Sequence, residues 1–230
     1  MASLHDADVA TNDASGTSLS APAIDVTIGD LLIAGVKNEG GQQNLAYVDS
    51  GAGTPRLSVA APYTFHVANT DLSGAIFWGI ALASGTITLR FNLGAARAFR
   101  KIGVYSFTPA FGFGFRLGRS ASSQQLATAA PSSGAAVAAG QCVAIGFHHL
   151  YGSRDFTPGT GWSEAAAFNI TSAQASEYQT PTTGGSLTAD GTLDTAVDAI
   201  SQIVIIEEVS LFPRTEFRNS FGRRRTRYAI

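Results

Sequence analysis

A single cysteine, Cys142, is all the thiol chemistry in this chain. That excludes an internal disulfide, so the framework must form without oxidation, as in a cytosol. Cys142 lies in the apolar run Gln141–Phe147, where a free cysteine behaves as a small buried hydrophobe. Charge is scarce as well. Asp, Glu, Lys and Arg make up 14% of residues, against about 25% in an average domain. A surface so poor in ions suits a protein partly covered by neighbours, or one with a Ser/Thr-rich exterior. Met1–Asp8 has neither the positive start nor the apolar stretch of a secretory signal. No apolar run is long enough to span a membrane. A Gly-x-Ser-x-Gly elbow, a phosphate loop and a dinucleotide fingerprint are all missing. The expectation is a non-enzymatic protein without cofactor, metal or membrane partner, made in a host cytoplasm and carried outward on a particle if it acts outside the cell.

What is present is the vocabulary of strands and tight turns. Glycine is abundant at 25 residues, among many Ala, Ser and Thr, and small or β-branched residues punctuated by Gly favour short strands over helices. Ala23–Ile28 alternates with period two, Gly29-Asp30 makes a turn, and Leu31–Val36 is a continuous apolar run of the kind buried on both faces. Thr86–Leu93 places Ile87, Leu89, Phe91 and Leu93 on one face and Thr88, Arg90 and Asn92 on the other. Further strands are expected at 56–60, 63–68, 75–83, 97–108, 141–150, 163–170, 175–180 and 200–212. The Ala-rich stretch 127–139 is no helix, because Pro131 and the Ser-Ser-Gly after it interrupt it.

The chain also resembles itself. Ile24–Val36 is similar to Ala135–Phe147, with their glycines, Gly29 and Gly140, 111 residues apart. Ala83-Ser-Gly85-Thr-Ile87 and the strand from Lys101 are similar to Ala189-Asp-Gly191-Thr-Leu193 and the strand from Ile203, at an offset of 106. The fold expected is all-β, a jelly-roll-type antiparallel β-sandwich with little helix and an extended C-terminal arm. Its divisions are a polar leader over 1–21, a sandwich over 22–212 with two related four-strand halves at about 22–120 and 121–212, and an Arg/aromatic arm over 213–230.

The order Gly29–Ala34, Ile76-Phe-Trp78-Gly79, Ala83–Leu89, Ile102–Ser106, then Gly140–Ile145 and Gly159-Thr-Gly-Trp162, is similar to β-sandwich modules of virion structural proteins in tailed bacteriophages. The resemblance spans Pro22 to Phe212. It implies a decoration, collar or tail-fibre type of role in a virion, with other virion subunits and further copies of the chain as partners, and no catalysis.

Residues 213–230 fall outside that resemblance. Six Arg and one Glu give this segment +5, which leaves −7 for residues 1–212 of a chain whose net charge is −2. Arg214, Phe217, Arg218, Phe221, Arg223, Arg224, Arg225, Arg227 and Tyr228 read as docking anchors for an acidic neighbouring subunit, since aromatics with Arg dominate interfaces. A phosphate-tracking contact without base specificity and a disordered solubilising tail are the competing readings.

Other clusters are weaker. His148 and His149 are neighbours on a strand and point to opposite faces, so with His66 and Asp155 they make a poor metal site and read as exposed strand-end histidines. Glu207 and Glu208 are splayed in the same way, which spoils them as an acid/base pair. Asp6, Asp8, Asp190, Asp194 and Asp198 lack the spacing of a calcium loop. Pro109–Phe115 reads as a flexible connection, and Asn169-Ile-Thr171 as an accidental glycosylation pattern. Trp78 and Trp162, with Tyr63, Tyr151 and Tyr178, could stack on sugars. That gives the alternative function, a carbohydrate-binding or adhesin-like domain that contacts a glycan or host surface.

Overall fold

A computed structural model describes the backbone of residues 1–39, 45–49, 58–67, 70–168, 172–182 and 184–211. Residues 1–108 hold β1 (Ser3–Asn12), β2 (Gly16–Ser20), β3 (Ile24–Val26), β4 (Leu31–Glu39), β5 (Leu45–Asp49), β6 (Ser58–Val67), β7 (Thr70–Ile80), β8 (Gly85–Ile87) and β9 (Arg90–Thr108). After a turn come β10 (Phe113–Thr128), β11 (Ser132–Ala138), β12 (Cys142–Arg154), β13 (Phe156–Pro158), β14 (Ser172–Thr182), β15 (Gly185–Leu193) and β16 (Val197–Ser210). Among the described residues the one helical element is a 3₁₀ turn at Ala166–Phe168. The protein is an all-β antiparallel sandwich of jelly-roll type, and Ser132–Ala138, where no helix is expected after Pro131, is a strand.

Strand order shows how the halves are wired. The first large sheet runs β1-β9-β4-β7-β6 and the second β10-β16-β12-β14. In both, the half's first strand lies beside its last, the last beside the strand after the glycine turn, and that strand beside the long return strand. Of the strands left over, β2 and β5 also pair with β9, while β3 pairs with β8 in the first half and β15 with both β11 and β13 in the second. This wiring repeats from Ser3, and the join falls in the turn at 109–112. The expected leader is therefore part of the sheet: β1 pairs along β9 from Ser3↔Thr108 to Asn12↔Arg100. Its composition hides this, because the partner that makes it a strand lies about a hundred residues away. Phe113 and Phe115 of the expected flexible connection begin β10, and residues 163–168, the described part of the strand expected at 163–170, give an isolated bridge and the 3₁₀ turn.

The two large sheets pack face to face. Leu31, Ile33, Ile76, Tyr105 and Phe107 of one meet Val143, Ile145, Phe147, Val204 and Ile206 of the other. Because successive side chains alternate, the intervening residues line the outer faces. Leu32, Ala34, Val36, Phe77 and Val104 pack with Leu89, Phe91 and Leu93 under the first outer layer. Cys142, Ala144, Ile203 and Ile205 pack with Ala136, Ala138 and Ala189 under the second. Leu31–Val36 is apolar throughout because each side chain has a core on its own side.

Two glycines set the distance between the sheets. Gly35 and Gly103 are register partners on β4 and β9. A Cβ on Gly35 would overlap the Phe147 ring, and one on Gly103 would overlap the Phe168 ring. The aromatic cluster completes the contact, with Tyr105 and Phe168 stacked at 4.9 Å.

Burial also settles Cys142. Its side chain is fully buried and burial pushes the thiol up to about 11, so the thiolate is scarce at neutral pH. Native protein is expected to react with a thiol reagent far more slowly than urea-unfolded protein. Equal rates in a colorimetric thiol assay would contradict this burial.

Candidate functional site

Both histidines of the His148-His149 pair are fully buried, so neither is an exposed strand-end residue. They do point to opposite faces. On the outer face of the second large sheet, His148 Nδ1 lies 2.9 Å from Ser201 Oγ and Nε2 3.4 Å from Glu177 Oε1. The Gly159 amide donates to Glu177 Oε2 at 2.9 Å. A serine–histidine–glutamate string invites comparison with a nucleophile, base and orienting acid. Here all three side chains have 0% exposure, and Phe156 lies 4.9 Å from the imidazole. A nucleophile must meet a carbonyl carbon, and this serine is sealed beneath β13. The string instead ties β12, β14 and β16 together and satisfies polar groups that would be costly to bury alone.

His149 faces the other way, into the space between the large sheets. Its Nε2 lies 3.0 Å from Gln202 Oε1 and its Nδ1 3.3 Å from Gln174 Nε2. The ring occupies the place a side chain on Gly74 would take, and Gly74 is the register partner of Lys37. Lys37 is buried there and paired with Glu39. Burial lowers the Lys37 amine below its usual value, opposed by Glu39. Burial holds the His149 imidazole down at about 3, with the Lys37 charge adding to the effect and the Gln202 hydrogen bond opposing it. The inter-sheet core is thus apolar where β4 begins and polar where it ends.

The apolar end of the strands carries several exposed large apolar side chains. The turns after β3 and β7 are hydrogen-bonded to each other, Gly29 N to Ala81 O and Ala81 N to Asp30 O. They carry Ile28 and Leu82, 65% and 67% exposed. β4 starts here opposite Phe107 of β9, so the turn joining β9 to β10 lies at the same end. It carries Phe111, 97% exposed. Leu211, 66% exposed, donates its amide to Gly112 O of that turn, so the last described residue lies at this end too. The docking anchors Arg214, Phe217, Arg218, Phe221, Arg223, Arg224, Arg225, Arg227 and Tyr228 lie outside the described residues, as do Asn169, Thr171 and the side chains of Tyr63 and His66.

Trp78 and Trp162 do not form one platform. Trp78 is packed against the core between the sheets. Trp162 sits on the outer side of the second sheet, partly buried against the cluster that includes Ala136, Ala144 and Ala189. Glu207 and Glu208 are splayed as expected. Glu207 pairs with Arg116, whose hydrogen bond holds that carboxyl below its usual value. Glu208 Oε1 accepts the Ala110 amide at 3.0 Å. Nothing in the sequence pointed to the His148 and His149 networks, because each joins residues 25 to 53 positions apart.

No protein-family model and no curated protein matches the chain. Among solved structures, it is similar to the major capsid protein P2 of bacteriophage PM2 at 10% identity, over 89% of this chain and 98% of that one. The TM-score is 0.26, too low to carry an argument; the description of the fold rests on the strand wiring.

Proposed function

We propose that this protein is a non-enzymatic structural component of a phage virion, of decoration, collar or tail-fibre type, which docks on other virion subunits through one end of its strands. The observation that carries the reading is the clustering of Ile28, Leu82, Phe111 and Leu211 at that end, Leu211 being the residue that precedes the Arg/aromatic stretch in the sequence by two positions. Exposed large apolar residues scattered singly need no explanation, but several on one end mark a contact surface. Exposed apolar side chains together with a sequence rich in Arg and aromatics make the composition of an interface core with its anchors. The chain as a whole is short of charge, at 14% of residues, which suits a subunit flanked by neighbours. The first occupant to test is a second copy of the chain, whose residues 1–212 carry the −7 that complements the +5 segment.

Light scattering at increasing concentration tests this. Full-length protein is expected to associate, and the double variant Leu82→Ser/Phe111→Ser to stay monomeric with an unchanged thermal midpoint. A chain ending at Phe212 is expected to fold and to associate more weakly than the full chain, the difference narrowing at high salt, which screens the attraction of the +5 segment. Association unaffected by both changes would move the contact surface elsewhere on the sandwich.

A further inference from the structure

We propose that the cleft beside Trp162 is a binding site for a pyranose sugar. The cleft has a volume of about 620 Å³, within the range of roughly 300–1,000 Å³ usual for small-ligand sites. It opens on the outer side of the second sheet, between the turn at 159–162 and β15. Trp162 N bonds to Gly159 O at 3.0 Å, and Gly161 takes the left-handed conformation, φ +84°, that this turn needs at its third position. The indole is therefore presented by a turn of fixed geometry, anchored further by Ser163 N on Tyr178 O at 2.9 Å.

Around the indole stand Thr160, Gln179, Thr188 and Asp190. None of these four side chains hydrogen-bonds or ion-pairs with the described residues, so their donors and acceptors are free to face a ligand. The Asp190 carboxylate lies so close against Gly159 that a side chain there would overlap it, which fixes its position at the rim. A sugar ring offers an apolar C–H face for the indole and a fringe of hydroxyls for amide, hydroxyl and carboxylate groups; this is the combination the cleft provides. Phosphates and nucleotides are disfavoured, because no Lys or Arg lines the cleft and Asp190 would repel an anion. An apolar ligand would leave the polar rim unpaired on binding. Trp162 also covers part of the core, but that role makes no use of the four polar side chains.

The test is saturation-transfer NMR on the full chain with the methyl glycosides of glucose, galactose, mannose and N-acetylglucosamine at millimolar concentration, with tryptophan fluorescence titration in parallel. At least one glycoside is expected to receive saturation and to shift the fluorescence. Asp190→Ala and Gln179→Ala, both outside the core, are expected to weaken binding at least tenfold without lowering the thermal midpoint. Trp162→Phe is expected to weaken it while keeping the fold. No transfer to any of the four glycosides would overturn the proposal, as would binding that survives both Asp190→Ala and Gln179→Ala.

Discussion

Replacing Gly103 with valine is expected to leave the chain unfolded, or less stable by about 3 kcal/mol or more, the upper part of the range for overpacking a core. The position admits no side chain: a Cβ there meets the Phe168 ring and comes within 3.1 Å of Phe147. Neither neighbour can retreat. Phe168 is stacked on Tyr105 at 4.9 Å, and Phe147 lies edge-on to Phe168 at 6.2 Å. Tyr105 in turn is tied to Ser176 across the interface at 2.5 Å. Relief would require separating the two large sheets along their contact. A double-mutant cycle distinguishes this from a general dislike of side chains in β9. Phe168→Ala alone should cost about 3–5 kcal/mol and Gly103→Ala a similar or smaller amount. The double variant should cost less than the sum by about 1 kcal/mol or more, because the missing ring makes room for the methyl. Urea denaturation reads all four states, and strict additivity would rule out the steric account.

These glycines show how far the sequence could be read. Leu31–Val36 was legible as a strand buried on both faces, since continuous apolar character has no other use in a sheet. The alternation at Thr86–Leu93 gave the correct face, with Leu89, Phe91 and Leu93 all buried in one cluster. The repeat of glycine turn and apolar strand pointed to two related units; in the structure the paths β1-β9-β4-β7 and β10-β16-β12-β14 follow one pattern of connection. What could not be read is whatever depends on a distant partner. Ser3–Asn12 looks like a loose polar leader until β9 supplies its ladder, and Phe99, φ +48°, marks where β9 turns from pairing with β2 and β5 to pairing with β1 and β4. His148 and His149 looked like surface residues because two adjacent polar side chains usually are; only the stacking of layers on both faces of β12 buries them. Trp162 was legible as an aromatic worth noting, but its separation from Trp78 and the free polar groups around it needed the fold.

Lowering the pH from 6.5 to 4.5 is expected to destabilise the protein chiefly through His149. In the folded chain this imidazole is held down at about 3, against 6.5 in an unfolded one. Between those values the unfolded chain binds the proton and the folded chain does not, so stability rises with pH through this window. The contribution is fully present above 6.5 and is lost progressively as the pH falls toward 3. A fully buried group with a shift of this size is worth on the order of 4 kcal/mol over the whole window. Of the groups around it, the charges of Lys37 on β4 and of His148, next in the chain, act in the same sense as burial, the Gln202 hydrogen bond opposes them, and Gln174 is neutral. Glu164 opposes. Burial and the nearby Glu177 raise its carboxyl to about 7, so its contribution falls as pH rises from 4.5 to 7. That group is only half-buried and solvent screening reduces its share, which leaves His149 to set the slope. His149→Gln keeps an amide within reach of Gln202 and removes the titration. Denaturation midpoints at pH 4.5, 5.5, 6.5 and 7.5 should therefore fall steeply with acid in the native chain and much less in the variant. If the variant loses stability as steeply as the native chain, the buried imidazole is not the group that acid attacks, and Lys37 with Glu39 becomes the pair to change next.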